Sequence, residues 1–215
     1  MKKKIVGLKR IVGLYAFLFV VWGFYRLLFQ FPEPLDELVI KPIVWLGPVA
    51  YLLYKEKSSL RSVGITLENI FPSIYFALAL GSIFVIEAMV VNFMKYKGLN
   101  FAANIGENSL YFALFLSFAT AISEEITFRG YIFGRTLSIY KNEVIVNIVT
   151  SLGWTAIHMP IAIFDWHLDT VSLILYAVLT TIFAFGASFV YVRTKNILSP
   201  ILLHVFWQWP IILFR

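Results

Sequence analysis

Apolar stretches long enough to cross a lipid bilayer recur along this sequence, and they limit the folds that it can adopt. An α-helix needs about 20 apolar residues to span the hydrocarbon core. A soluble domain carries about 25% charged residues, whereas only 14% of these 215 residues are charged and 60% are hydrophobic. The sequence therefore predicts an integral protein of the cell membrane with several passes. The candidate spans are 11–31, 38–54, 70–94, 109–135, 144–164, 170–192 and 197–214.

These spans predict an all-α fold, namely a polytopic membrane helix bundle with about seven transmembrane helices. In lipid, every backbone N–H and C=O group needs a partner within the protein, which leaves helices and closed barrels as spanning structures. The sequence lacks the alternating segments of about ten residues that mark barrel strands. The second span is the weakest, because Lys41, Pro42 and Pro48 interrupt it. A kinked or partly re-entrant helix is expected there.

The basic residues between the spans predict the orientation of the chain. With the N-terminus inside, the inner segments are 1–10, 55–69, 136–143 and 193–196. Together with Arg135 they hold twelve basic residues, whereas the outer segments hold three. Cytoplasmic loops carry an excess of Lys and Arg, so we expect an N-inside protein. Contacts with anionic lipid heads explain the net charge of +6, and the expected partner is the bilayer rather than nucleic acid.

The sequence contains no cysteine, and this absence removes several kinds of chemistry. Disulfides, thiolate metal ligands and cysteine nucleophiles are all excluded. The apolar run 11–31 follows a basic N-terminus, as in a signal peptide, but it is too long and no small-residue cleavage site follows it. We therefore expect an uncleaved first membrane helix.

Polar side chains inside the spans are the candidate functional residues, because burying ionisable groups in a bilayer is costly. Such groups fall at a similar depth in three different predicted helices. They are Glu124, Glu125 and Arg129 in the fourth span, His158 in the fifth, and His204 with Gln208 in the seventh. We expect the three helices to bring them into one wet pocket inside the membrane. A purely structural role stays open for the histidines, which also form hydrogen bonds between membrane helices.

Spacing predicts different roles for the two adjacent glutamates. Glu125 and Arg129 are four residues apart, so they share a helix face and are expected to pair in support of the site. Glu124 is rotated by about 100° from Glu125 and does not need to share that partner. A carboxylate without its own counter-ion in an apolar setting suits a general base. His204 and Gln208 are also four residues apart, and they are expected to face the cavity together.

Three motifs built from these residues resemble the CPBP family. This family joins type II CAAX prenyl endopeptidases with bacteriocin-processing or immunity proteins and is also called the Abi family. The motifs are Glu124-Glu125-x-x-x-Arg129, Trp154-x-x-x-His158 and His204-x-x-x-Gln208, in the family's order and on three separate spans. The family's second motif usually begins with Phe and its third usually ends in Asn, so Trp154 and Gln208 are departures from the pattern.

The resemblance implies a division of the chain and an activity. Residues 109–215 would form CPBP-like catalytic helices, and residues 1–108 would be N-terminal membrane helices without a motif, all within one membrane domain. The implied activity is that of an intramembrane endopeptidase in which Glu124 activates a water, with His158 and His204 lining the same site. Its substrate would be a membrane-associated or lipidated peptide, prenylated if the analogy extends to CAAX processing.

We expect the following mechanism for such an endopeptidase. Glu124 takes a proton from a water, which attacks a peptide carbonyl. His204 and Gln208 donate to the developing oxyanion, where preorganised donors contribute about 3–4 kcal/mol each. His158 helps to hold the water or protonates the leaving amine.

Other functions stay as alternatives. Glu124, His158 and His204 would make a zinc site with an open water position. The sequence lacks the His-Glu-x-x-His helix motif. We therefore favour a metal-free site and keep a zinc site as the alternative. A non-proteolytic membrane regulator or bacteriocin-immunity protein of the same family would keep the polar cluster for packing and recognition. A small transporter would use Glu124 as a proton site, although the internal repeats common in transporters are missing.

Overall fold

The computed structural model describes residues 2–29, 31–100 and 109–214. Residues 1, 30, 101–108 and 215 lie outside the described ranges, so the parts of the predicted segments that fall on them stay predictions. The described ranges contain seven long helices: α1 (Lys2–Leu28), α2 (Glu33–Glu56), α3 (Ile70–Tyr96), α4 (Leu110–Tyr140), α5 (Glu143–Phe164), α6 (Thr170–Thr194) and α7 (Leu198–Phe214). The predicted all-helical membrane fold is confirmed, because α1 to α6 each include a segment long and apolar enough to cross a bilayer. Helix α7 has 17 residues, and its crossing stays a prediction.

Helix α2 corresponds to the second predicted span, and the kink expected there stays a prediction. It runs from Glu33 to Glu56, so Lys41 and Pro42 lie inside a helix of span length rather than at a break. The irregularity lies just before them, where the backbone forms a π-helical segment at Asp36–Ile40. Pro42 then occupies the first turn of the following α-helical part, where its missing N–H costs little.

Helix α4 lies at the centre of the bundle and carries the two adjacent glutamates. It packs against α1, α2, α5, α6 and α7, and it is the most buried of the six candidate spans. Its first α-helical part ends at Glu125, and a second π-helical segment follows at Ile126–Phe133. The loop before α3 approaches this segment so closely that a Cβ at Gly130 would lie 2.7 Å from the carbonyl oxygen of Val63. Close packing therefore fixes the position of this segment.

Segments predicted to lie on one side of the membrane meet at one end of the bundle. Arg10 in α1 and Arg135 in α4 both contact the Glu56 carboxylate, at 3.4 Å and 3.0 Å. At the same end, Asn196 donates its side-chain N–H to the backbone oxygen of Thr66 at 3.0 Å. These contacts join the segments that were grouped together as inner. Which side of the membrane this end faces stays a prediction.

Apolar side chains cover the outer faces of the helices, while aromatic rings fill the interior. Phe71, Tyr111 and Val171, on three different helices, are 73%, 86% and 66% exposed. Monomeric soluble proteins rarely expose large apolar faces, whereas lipid solvates them. Inside, the rings of Trp154 and Phe183 are buried and their centres lie 5.2 Å apart. This aromatic core packs directly against the polar cluster of α4.

Candidate active site

The two adjacent glutamates in α4 form the centre of the candidate active site. Glu124 and Glu125 are 3% and 0% exposed, and they end the first α-helical part of α4, directly before its π-helical segment. Consecutive residues of a helix point about 100° apart, so the two carboxylates reach different neighbouring helices. Burial of carboxylates in an apolar interior requires partners for each of them.

Glu125 has an arginine and a histidine as its partners. Its Oε1 accepts from Nη1 of Arg129 at 3.0 Å and from Nδ1 of His204 at 2.7 Å. Arg129 also donates from Nη2 to the backbone oxygen of Ala184 in α6 at 3.2 Å. Its guanidinium lies 4.9 Å from the ring centre of Trp154. The predicted Glu125–Arg129 pair is therefore present, and it connects α4 with both α6 and α7.

Glu124 reaches a different set of partners. Its Oε1 lies 2.9 Å from Nζ of Lys41 in α2, and its Oε2 lies 3.6 Å from Nε2 of His158 in α5. The expectation that Glu124 has no cation of its own was wrong, because Lys41 enters the site from a helix that is distant in the sequence. The Oε2 atom is buried and has no hydrogen-bond partner among the described residues.

Lys41 is itself buried and bridges two carboxylates. It is 4% exposed, and its Nζ lies 2.6 Å from Oε2 of Glu37 as well as 2.9 Å from Oε1 of Glu124. Thr120, one turn before Glu124 in α4, donates its hydroxyl to the same Glu37 oxygen. The ammonium also lies 5.2 Å from the ring centre of Trp22 in α1. Glu37 and Lys41 thus connect the N-terminal helices to the adjacent glutamates.

The aromatic residue of the second motif sets the orientation of His158. Its Nδ1 lies 2.8 Å from the backbone oxygen of Trp154, one turn earlier in α5. A carbonyl oxygen only accepts, so Nδ1 carries a proton, and Nε2 is the ring nitrogen turned toward α4. This atom faces Glu124 Oε2 across 3.6 Å, which is too long for a direct hydrogen bond. The two side chains therefore face each other without a direct hydrogen bond.

Gln208 lies one turn after His204 in α7, with an amide oxygen that lacks a partner among the described residues. Its Oε1 is buried and makes no hydrogen bond to a described residue. The two ends of an amide are assigned from its hydrogen bonds, so a flipped amide places its NH2 group at the same position. Buried polar atoms without partners are rare in native proteins. The described part of the chain has eight such atoms, of which four belong to motif residues (Glu124, Glu125, Trp154 and Gln208) and four to Trp45, Ser123, Thr180 and Trp209.

The three predicted motif helices therefore converge, but their histidines are divided between the two glutamates. His158 faces Glu124, and His204, which was expected to line a pocket with Glu124, makes its direct hydrogen bond to Glu125. Each glutamate thus has one cation and one imidazole in its surroundings. This pairing could not be assigned from spacing along a single helix.

The zinc set considered from the sequence, Glu124, His158 and His204, does not fit this geometry. In the ranges that the structure describes, no group of three or more His, Asp or Glu side chains is placed to hold a metal ion. Oε1 of Glu124 instead lies 2.9 Å from the ammonium of Lys41.

The fold and the site together define a polytopic helical membrane protein with a buried centre of carboxylates, imidazoles and an ammonium. Residues 106–210 match the family model described as Type II CAAX prenyl endopeptidase Rce1-like. The chain thus contains an Rce1-like type II CAAX prenyl endopeptidase domain of the CPBP family and is an integral membrane protein, as the three motifs predicted. Neither a curated protein nor a solved structure matches the chain.

The matched range contains every motif residue but not every residue of the cluster. Glu124, His158 and His204 lie within residues 106–210. Glu37 and Lys41 lie outside it, on α2. The cluster around Glu124 is therefore assembled from both halves of the chain.

Proposed function

We propose that this protein is an intramembrane endopeptidase that hydrolyses a peptide bond of a membrane-associated or lipidated substrate, with a water activated by Glu124. The observation that carries the proposal is the approach of His158 Nε2 to Glu124 Oε2, at 3.6 Å in the interior of a membrane helix bundle. The family match supports a protease. Glu124 faces an imidazole that makes no direct hydrogen bond to it, which suits it to proton transfer, whereas Glu125 is bonded to both Arg129 and His204.

In the proposed reaction, a water enters beside Glu124 Oε2 and His158 Nε2 and donates a hydrogen bond to the carboxylate, with a lone pair directed at the substrate carbonyl. The water oxygen attacks the carbonyl carbon while its proton moves to Glu124. The carbonyl oxygen then carries the negative charge of the intermediate. When the C–O double bond forms again, the C–N bond breaks and the leaving nitrogen takes the proton from Glu124, either directly or by way of His158 Nε2. The hydroxyl of the water thus ends in the new carboxyl group, and its other hydrogen ends in the new amine.

His204 and Gln208 are the proposed donors to the intermediate's oxygen. Glu125 accepts from Nδ1 of His204 at 2.7 Å, so Nε2 is the ring nitrogen left for the intermediate, and it donates there whenever it carries a proton. Gln208 lies one turn later in α7 and adds its amide on the same helix face. Donors that are fixed before the reaction stabilise the developing charge without reorganising. Arg129 supports this arrangement by fixing Glu125.

Cleavage of defined peptides by the purified full chain tests the proposal. The protein is reconstituted in liposomes with two matched peptide sets, one anchored by a prenylated cysteine and the other by an acyl chain, and new termini are identified by mass spectrometry. Cleavage of either set that disappears in the Glu124→Gln variant supports the proposal. If folded wild-type protein produces no new terminus, the proposal is wrong and a non-proteolytic regulator is favoured.

Replacement of Gln208 tests the proposed donor role. Gln208→Leu is expected to lower kcat by about 100-fold and to leave KM within about twofold, because an oxyanion donor acts mainly in the transition state. Gln208→Asn keeps the amide, and we expect it to stay within about tenfold of wild type. Steady-state cleavage of one peptide by all three proteins gives the comparison. A Leu variant with the wild-type kcat would show that Gln208 has no such role.

Metal removal is expected to leave cleavage unchanged, because the Lys41 ammonium, 2.9 Å from Oε1 of Glu124, occupies the place beside this oxygen that a metal would need. After treatment with ortho-phenanthroline and removal of the chelator, the rate should stay within about twofold of the untreated protein. The non-chelating meta isomer is the matched control for effects on the bilayer. A loss of cleavage that occurs only with the ortho isomer and is reversed by zinc contradicts the metal-free mechanism.

A further inference from the structure

We propose that Lys41 is a positioning residue for Glu124, whose ammonium holds one carboxylate oxygen so that the other one accepts the proton. This inference rests on the proposed function and adds to it a part of the chain outside residues 106–210. It assigns to helix α2 a role in the reaction in addition to its role in the bundle.

The geometry around the ammonium separates the two oxygens of Glu124. Lys41 donates to Oε1 at 2.9 Å, and Oε2 is the atom that faces His158 Nε2 at 3.6 Å. Lys41 is 4% exposed, so little water competes for its donors and the charge interaction is stronger than at a surface. Oε1 of the carboxylate is therefore bonded to Lys41, whereas Oε2 makes no hydrogen bond to a described residue. Without the lysine, either oxygen could turn toward His158.

Glu37 and Thr120 hold the lysine in place. Lys41 donates to Oε2 of Glu37 at 2.6 Å, and Thr120 donates to the same oxygen from α4. Thr120 and Glu124 are four residues apart on one face of α4, so α2 is attached to that face at two successive turns. Glu37 also balances part of the ammonium's charge, which leaves Glu124 able to act as a base. Glu37 lies in the π-helical segment Asp36–Ile40, which ends directly before Lys41. Such segments are frequent at functional sites.

The first test is the change in kinetic constants on removal of the ammonium. Lys41→Met is expected to lower kcat by about 100-fold and to leave KM within about twofold, because the lysine acts through Glu124 and touches no substrate. Lys55→Met makes the same change in the same helix at an exposed position and should keep the wild-type kcat. Lys41→Arg keeps the positive charge. We expect its kcat to be at least about tenfold higher than that of Lys41→Met. A Lys41→Met variant with wild-type kcat overturns the proposal.

A double variant separates positioning from simple charge balance. If Lys41 only neutralises Glu37, then E37Q/K41M removes both charges together and should regain the wild-type kcat. If Lys41 positions Glu124, the double variant folds more stably than Lys41→Met but keeps the low kcat. Recovery of kcat in E37Q/K41M overturns the proposal. The double variant also keeps the test decisive if Lys41→Met alone fails to fold.

A measurement without substrate keeps this inference distinct from the proposed function. The melting temperatures of Lys41→Met, Glu124→Gln and the double variant K41M/E124Q form a thermodynamic cycle. A double variant that is less destabilised than the sum of the single variants supports the contact between the two side chains. Additive effects overturn the positioning role. If the wild-type protein cleaves nothing, the proposed function fails, while this cycle still decides whether Lys41 holds Glu124.

Discussion

Glu124→Gln is expected to lower the rate of peptide cleavage by at least about 1,000-fold while the protein stays folded. The glutamine still accepts a hydrogen bond from Lys41, which lies 2.9 Å from Oε1 of the native residue, but an amide cannot take a proton from water. Lys41 also keeps Glu37 as a partner at 2.6 Å, so the substitution leaves no isolated charge in the interior. The measurement is steady-state cleavage together with the melting temperature of each purified protein.

Glu87→Gln is the matched control for this experiment. Glu87 is a partly buried carboxylate within the apolar helix α3, so its replacement makes the same chemical change in a membrane span away from the adjacent glutamates. We expect it to keep kcat within about twofold of wild type, as for substitutions outside the site. A Glu124→Gln variant that cleaves as fast as Glu87→Gln would remove Glu124 from the mechanism.

Arg129→Met is expected to lower the free energy of unfolding by about 3–5 kcal/mol, because it leaves the carboxylate of Glu125 buried without its main cation. Both side chains of this pair are almost completely inaccessible, at 2% and 0% exposed. The substitution also removes the donor to the backbone oxygen of Ala184, so the contact between α4 and α6 weakens. Thermal and denaturant unfolding in detergent provide the measurement.

An exposed ion pair of similar geometry provides the control. Arg61 and Glu68 lie 2.6 Å apart, but their side chains are 68% and 59% exposed. Arg61→Met should therefore cost at most about 1 kcal/mol. The variant E125Q/R129M should be more stable than Arg129→Met alone, since it removes the uncompensated carboxylate. Equal losses for Arg129→Met and Arg61→Met would show that burial does not govern the strength of the Glu125–Arg129 pair.

The features that depend on one local stretch of sequence could be predicted. Hydropathy over the length of a helix is a local property, and it led to the helical membrane fold that the structure has. The Glu125–Arg129 pair follows from a spacing of four residues within α4. The bond from His158 to the Trp154 backbone lies within α5 in the same way, although it was not predicted. Its i−4 spacing was visible in the second motif.

The features that depend on packing between helices could not be predicted. Lys41 looked like an interruption of an apolar stretch, because nothing in the neighbouring sequence shows that Glu124 lies across from it. A signal was nevertheless present, since Glu37 stands four residues before Lys41 in the same stretch, and buried charges in membranes are usually paired. The division of His158 and His204 between two glutamates likewise depends on which helix packs on which face of α4.

The origin of Lys41 outside the matched range affects any attempt to exchange parts between related proteins. The family model matches residues 106–210, which suggests a domain that could be exchanged by itself. Transferring these residues alone would separate Glu124 from the Lys41 ammonium, which lies 2.9 Å from it. A chimera would have to carry the turn of α2 that includes Glu37 and Lys41 along with the motif half. Substitutions at either end of this contact are therefore expected to compensate one another across otherwise unrelated stretches of the chain.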